Sequence, residues 1–198
     1  MIYTLSQVEE RVYALLDENR AVLEDRTLYG DPNASLRTLI REFLPEAAEY
    51  VMLEGKNTDF SECEQRLENS PLIFIDETRA LIRLPANFVR LLYLKMTDWD
   101  QGIYETLQPG GAEYQLYARS RKRYWEPGVR KHPAASIGMA FGRRTLEIFN
   151  TSLGAEIDQI QYLCRPEFDG VEIDIPQSIF PRVCRRLAQT ICEITTHT

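Results

Sequence analysis

Hydrophobic residues recur at three- and four-residue intervals near the beginning and the end of the chain, which is the period of an amphipathic helix. The pattern predicts three helices, at residues 7–23, 32–55 and 177–198. Pro45 lies inside the second helix, where its ring clashes with the carbonyl group of the preceding turn, so we expect a kink or a restart there. The apolar face of the first helix consists of Val8, Val12, Leu15, Leu16, Val22 and Leu23. The face of the second helix consists of Leu36, Leu39, Ile40, Phe43, Ala47, Val51 and Met52, and that of the third consists of Phe180, Val183, Cys184, Leu187, Ala188 and Ile191.

Two of these helices have start signals in the sequence. Ser6 and Glu9 have the spacing of a capping box, in which each side chain accepts a hydrogen bond from the backbone amide of the other residue. Ser178 can cap the last helix, and Pro181 falls in its first turn, where a missing N–H group leaves no hydrogen bond unmade. The sequence therefore predicts where the first and the last helix begin.

Between residues 71 and 175 the pattern changes to that of β-strands. Two short apolar runs, 72–75 and 80–84, flank a polar tetrad and predict a hairpin. Residues 135–149 predict a second hairpin that turns at Gly142–Arg143. The remaining predicted elements are strands at 88–97, 156–164 and 171–175, and a short helix at 112–123.

Together these elements predict the α+β fold class. We expect a three-helix antiparallel bundle, built from residues 1–55 and 177–198, with an antiparallel β-sheet region inserted at residues 71–175. A chain of 198 residues is long enough to bury one core, and no repeat or low-complexity tract separates domains. A single domain at residues 1–198 is therefore predicted.

Charge is unevenly distributed along the chain, whose formal net charge is -7. Residues 1–70 hold 15 acidic and 7 basic residues, whereas residues 119–131 hold 6 basic residues and 1 acidic residue. The basic segment is therefore a local reversal of sign in an acidic protein. Most of the surface should repel a polyanion, which argues against a dedicated nucleic-acid-binding protein.

Several common kinds of site lack their anchoring residues. The sequence contains no glycine motif for nucleotides, no nucleophile-elbow motif and no HExxH motif. Cys63, Cys164, Cys184 and Cys192 form no CxxC pair, and two histidines are too few for a Cys/His zinc site. No apolar run reaches the roughly 18 to 20 residues of a membrane-spanning helix. We therefore expect a protein that is not an enzyme and has no cofactor, no metal and no membrane contact.

An acidic cluster is the strongest residue-level sign of an enzyme. Glu167, Asp169, Glu172 and Asp174 lie close together, and such carboxylates can hold a divalent cation or act as an acid and a base. The alternation of the last two with apolar residues instead predicts the solvent-exposed face of a strand, which is the interpretation we prefer. As another alternative, this acidic edge contacts a basic patch on a neighbouring subunit.

The basic segment at residues 119–131 is the candidate site. Its cations and interleaved rings are typical of a nucleic-acid contact, of a protein interface anchored by Arg and Trp, and of a solvated loop. We favour an interface in which the cations meet the acidic surface of a neighbouring subunit, with DNA as the next alternative. The candidate residues are Arg119, Arg121, Lys122, Arg123, Trp125, Arg130 and Lys131.

The order of these features resembles that of a known family. LIRLPANFVRLLYLKM at residues 81–96, IDQIQYLCRP at residues 157–166 and the closing helix IPQSIFPRVCRRLAQTICEIT resemble the head-tail connector proteins (adaptors or gatekeepers) of tailed bacteriophages. The resemblance spans most of the chain. It implies a helical bundle with a β-rich insertion that assembles as a ring, usually of twelve copies, around the DNA exit channel.

The resemblance also implies partners and a location. We expect a virion structural protein, present in the host cytoplasm during assembly, whose homo-oligomeric ring joins the portal protein to tail proteins and has non-specific contact with DNA. Several family members dock on the portal with a C-terminal tail. We expect no such tail beyond the last helix here, and therefore expect the loops at 26–33 and 57–70 or the basic segment to contact the portal. The alternative function is a small DNA-binding or regulatory protein that uses residues 119–131.

Overall fold

The structure is a computed structural model that describes residues 1–18, 32–60, 71–119 and 132–196. Contacts within the chain divide it into two units. Unit 1 consists of Met1–Cys63 and Arg165–Thr198, and unit 2 consists of Glu64–Cys164. The single domain at residues 1–198 stays a prediction.

Four helices and eight strands are assigned in the described residues. The helices are α1 (Leu5–Glu18), α2 (Pro32–Glu54), α3 (Ala112–Arg119) and α4 (Phe180–Thr196). The strands are β1 (Ile2–Thr4), β2 (Ile73–Asp76), β3 (Arg79–Arg83), β4 (Phe88–Met96), β5 (Ala134–Ala140), β6 (Arg143–Phe149), β7 (Ile157–Cys164) and β8 (Glu172–Asp174). A 3₁₀ helix at Asn57–Phe60 follows α2.

The strands form three antiparallel sheets rather than one. β1 pairs with β8, β4 pairs with β7, and the other strands are ordered β2-β3-β6-β5. The β1–β8 sheet belongs to unit 1 with α1, α2 and α4, whereas α3 and the other two sheets belong to unit 2. The predicted three-helix antiparallel bundle with one inserted sheet is therefore wrong. The described fold is α+β, mixed and sheet-rich, because strands occur in both units and do not join into one sheet.

The apolar faces of three helices form the core of unit 1. α4 contacts both α1 and α2. Val12 of α1, Leu44 of α2 and Leu187 of α4 are fully buried, and the burial of one such side chain contributes about 1.5–3 kcal/mol. Pro45 lies inside one continuous helix, so α2 does not restart there.

The first turn of α1 is capped by a different pair of residues from the predicted one. The hydroxyl oxygen of Thr4 accepts a hydrogen bond from the Gln7 N–H group (3.3 Å), and the side-chain oxygen of Gln7 accepts one from the Thr4 N–H group (2.9 Å). Glu9, which we predicted to form a capping box with Ser6, is buried. Its carboxylate accepts hydrogen bonds of 2.8 and 2.9 Å from Arg37 of α2. The predicted cap is therefore two residues too late.

Unit 2 has its own core between the four-stranded sheet and the β4–β7 sheet. Trp99, which follows β4, is buried there, and its indole N–H group donates to the carbonyl oxygen of Asn150 at 3.0 Å. This bond joins the ends of β4 and β6. The buried residues of this core are Ile82, Leu84, Phe88, Leu91, Leu94, Met96, Trp99, Ala135, Leu146, Ile148, Ala155, Ile160 and Tyr162.

Candidate functional site

Most of the predicted site lies outside the described residues. This applies to Arg121, Lys122, Arg123, Trp125, Arg130 and Lys131, and to most of the loops 26–33 and 57–70 that we predicted as portal contacts. Arg119 is the last residue of α3, and only its backbone is described. The structure does describe what holds the two flanks of the basic segment, which are α3 on one side and the residues from His132 onward on the other.

Two tyrosines attach α3 to strand β6. The Tyr114 hydroxyl donates to the Glu147 carboxylate at 2.9 Å, and the Tyr114 ring meets Phe149 edge-on with centroids 5.7 Å apart. The Tyr117 ring also contacts Phe149, at 5.8 Å. Burial and the bond to Glu147 raise the pKa of Tyr114, so its hydroxyl group remains a donor at neutral pH. These contacts fix the first flank of the basic segment.

Glu147 also connects α3 to the β2–β3 hairpin. Its other oxygen accepts a hydrogen bond of 3.2 Å from Arg79, whose Nε binds Asp76 at 2.7 Å. Burial alone would raise the pKa of Asp76, but the hydrogen bonds from Thr78 and Arg79 outweigh it and lower that pKa. Because its two oxygens accept hydrogen bonds from α3 and from β3, the Glu147 carboxylate joins both of these elements to β6.

The second flank is held by the residue that follows β6. The side-chain amide of Asn150 donates to the carbonyl oxygen of His132 at 2.7 Å, and Ala134 is paired with Phe149 in the β5–β6 ladder. Asn150 has a φ of 57°, a left-handed conformation that Asn adopts more readily than most residues. Both flanks are therefore held at the same end of β6, by residues 147–150.

A second group of cations lies at the opposite end of β6. Arg143 and Arg144 are its first two residues and are exposed, and exposed Arg83 of β3 lies beside them because its partner in the ladder is Thr145. We call these three arginines the hairpin-tip group. The stretches 83–90 and 138–145 contain four arginines and no acidic residue. β6 has seven residues, so the hairpin-tip group lies about 20 Å along the strand from residues 147–150, which hold the flanks of the basic segment.

The turn beside the hairpin-tip group exposes a hydrophobic side chain on a strained backbone. Phe141 and Gly142 have φ values of 52° and 70°, as both central residues of a type I′ turn require. The predicted turn at Gly142–Arg143 is therefore one residue too late. Phe141 is 81% exposed and Met139 is 71% exposed. A left-handed conformation costs a residue with a Cβ atom about 1–2 kcal/mol, and the exposed ring buries little surface that would offset this cost.

The acidic cluster lies in unit 1, in and before strand β8. Ile173 and Ile175 are buried while Glu172 and Asp174 are exposed, which confirms the predicted alternation for these residues, whereas Val171 precedes the strand and is exposed. Asp169 accepts hydrogen bonds from the backbone of Glu172 and Val171, and these lower its pKa. Among the described residues, no three or more His, Cys, Asp and Glu side chains are grouped so that they could hold a metal ion.

Comparisons with known proteins do not identify a family for this chain. No protein-family model matches it, and no curated protein matches it. No helix in the described parts of the chain is long and apolar enough to cross a membrane. The described residues thus define the protein only as an α+β protein with exposed arginines at the tip of the β5–β6 hairpin. The resemblance to head-tail connector proteins stays a prediction.

Proposed function

We propose that the protein is a non-enzymatic structural subunit of a head-tail connector ring. The observation that supports this function is the difference in charge between the two units. Unit 1 has 18 acidic and 10 basic residues, a net charge of -8, whereas unit 2 has 12 acidic and 13 basic residues, a net charge of +1. The acidic unit 1 of one copy and the basic segment in unit 2 of another can then meet head to tail, and such a contact closes into a ring when the rotation allows.

In this proposal the ring, of twelve copies as in the family that the sequence resembles, joins the portal protein to tail proteins around the DNA exit channel. The protein is a virion component that is present in the host cytoplasm before assembly. The contacts of Tyr114, Glu147 and Asn150 support the role of the basic segment as an interface, because they hold both of its flanks. Fixed flanks reduce the conformational entropy that is lost when a segment binds.

Native mass spectrometry and negative-stain microscopy test the proposal on the full chain, alone and with the portal protein encoded in the same genome. We expect closed rings, alone or on the portal, that dissociate at high salt because exposed charge pairs are screened. Lys122→Glu in the basic segment should weaken assembly, whereas Lys56→Glu, the same charge change at an exposed residue of unit 1, should not. A protein that neither self-associates nor binds the portal contradicts the proposal.

A second candidate function, sequence-independent DNA binding by unit 2, is favoured by the hairpin-tip group. Besides residues 119–131 it gives the unit Arg83 and Arg143 on one face of the sheet, while Arg144 lies on the other face and donates to the Phe88 carbonyl oxygen. This function predicts that the affinity for a labelled DNA duplex falls steeply with salt and is lost when Arg121, Lys122 and Arg123 are replaced by Glu. Absence of measurable binding at low salt excludes it.

A further inference from the structure

We propose that the tip of the β5–β6 hairpin docks on the β1–β8 sheet of a second copy of this chain. The proposal rests on the proposed function, because it requires copies to associate, and it adds the two surfaces that meet. The hairpin tip, which shares only Arg143 with the hairpin-tip group defined above, consists of Met139, Ala140, Phe141, Gly142 and Arg143. The acceptor surface consists of Ile2, Thr4, Glu172 and Asp174.

The hairpin tip has the composition of the centre of an interface with a cationic rim. Phe141 and Met139 are 81% and 71% exposed, and exposed Arg143 directly follows the turn. Phe, Met and Arg are enriched in protein–protein interfaces relative to the remaining surface. The tip is therefore suited to a partner with an apolar centre and acidic surroundings.

The backbone at the tip supports a role in binding. Phe141 occupies the first central position of a type I′ turn, where Asn, Asp or Gly is normally found. Phe at this position is unfavourable for the turn itself, and the exposed ring adds little packing within its own chain. Residues in strained conformations cluster at functional positions. A ring that becomes buried only when another copy binds accounts for both observations.

The acceptor surface has the matching chemistry. In the β1–β8 ladder Ile2 lies opposite Asp174 and Thr4 lies opposite Glu172, so these four residues share one face of the sheet. The apolar side chain on this face is that of Ile2, which is 63% exposed. Residues 167–174 include four acidic residues and no basic residue, and the Arg41 guanidinium lies against Gly170 within this stretch. This face therefore offers one exposed apolar side chain, that of Ile2, beside the carboxylates of Glu172 and Asp174.

The contact assigns a charge pair across the two copies. Asp174 already pairs with the Met1 ammonium group at 2.7 Å, so we assign Glu172 as the carboxylate that Arg143 meets. The other face of β8 is not accessible, since Ile173 is buried and Tyr3 opposite it stacks on Phe180 with centroids 3.8 Å apart. The hairpin tip and the acceptor surface are different surfaces, so the contact is head to tail.

Site-specific photo-cross-linking tests the contact even if association is weak. The photoreactive amino acid p-benzoylphenylalanine replaces Phe141 in the full chain, and isotopically labelled and unlabelled copies are mixed so that cross-links between copies are recognised. We expect such cross-links to peptides that contain residues 1–4 or 167–175. The matched control carries the same photoreactive residue at Leu153, which is 63% exposed in unit 2 but lies away from the tip in the sequence. Cross-links from position 141 that go elsewhere, or that do not exceed the control, overturn the proposal.

Charge exchange provides a second measurement. Arg143→Glu and Glu172→Arg should each lower the yield of this cross-link about threefold to tenfold, and the two together should restore it. Circular dichroism checks that each variant is folded. If rings form but neither reversal matters, the docking contact is wrong while the proposed function stands. If no copies associate, alone or on the portal, both are wrong.

Discussion

The Tyr114 hydroxyl donates a hydrogen bond of 2.9 Å to the Glu147 carboxylate and thereby connects α3 to the four-stranded sheet. Because the same carboxylate also accepts a hydrogen bond from Arg79, elements from three parts of unit 2 meet at one side chain. α3 leads directly into the basic segment, so this bond holds one flank of the proposed interface in place.

Tyr114→Phe should lower the free energy of unfolding by about 1–2 kcal/mol, since it removes a hydrogen bond to a partly buried charge and leaves the ring contact with Phe149 intact. Urea denaturation of the full chain measures the change. The control is Tyr104→Phe, which removes a hydroxyl group from a ring that is 61% exposed and should change the stability by less than about 0.5 kcal/mol. Equal effects at the two positions would mean that the Glu147 bond does not stabilise the fold.

Asn150→Ala should lower the free energy of unfolding by about 2 kcal/mol. About half of this comes from the lost hydrogen bond to His132 and half from placing Ala at a φ of 57°. Asn150→Gly loses the same hydrogen bond but tolerates the left-handed backbone, so it should lose only about 1 kcal/mol. Urea denaturation of the two variants separates the contributions. A Gly variant as unstable as the Ala variant argues against backbone strain at this position.

The sequence predicted those helices and turns whose residue pattern is contained in one short stretch of the chain. The apolar faces of α1, α2 and α4 are evident in single stretches of the chain, and so are the hairpin turns to within one residue. β1 was not predicted, because three residues are too few to show an alternating pattern. The division into three sheets was not predicted because the pairing of β4 with β7 depends on contacts between distant strands.

Tertiary contacts decide which of several patterns in the sequence the structure uses, as the cap of α1 and the hairpin-tip group show. Thr4 with Gln7 fits the capping pattern as well as Ser6 with Glu9 does, and α1 uses the first pair while Glu9 binds Arg37 in α2. Likewise, the hairpin-tip group forms only because Arg83 of β3 lies next to the start of β6. Both outcomes depend on tertiary contacts that one stretch of sequence does not contain.

Phe141→Asn should raise the free energy of unfolding by about 1 kcal/mol, because Asn-Gly is the preferred pair in a type I′ turn and Asn tolerates the left-handed backbone. The same variant should lose the association between copies, so stability and association change in opposite directions. Urea denaturation at low protein concentration measures the stability. Met139→Asn is the control: it should lower stability slightly, because Asn is unfavourable within a strand. If Phe141→Asn instead makes the protein less stable than the wild type, the ring stabilises its own chain.

Cys184 should make stability depend on pH in the alkaline range. Its thiol group is fully buried, and burial raises its pKa from 9.0 to about 11. Between these values the unfolded state loses the proton while the folded state keeps it. The contribution of the protonated Cys184 thiol to the free energy of unfolding is therefore complete below pH 9 and decreases by about 2 kcal/mol as the pH rises toward 11.

Replacement of this thiol should flatten the pH dependence. Cys184→Ala and Cys184→Ser should both be less stable than the wild type at pH 7, the Ser variant more so because its hydroxyl group is placed in an apolar core. Both should lose less stability than the wild type between pH 9 and pH 11, since neither carries a thiol that ionises there. Urea denaturation in that range provides the comparison, and the tyrosines that also titrate contribute equally to all three proteins. Parallel curves for the wild type and both variants would show that Cys184 ionises alike in the folded and unfolded states.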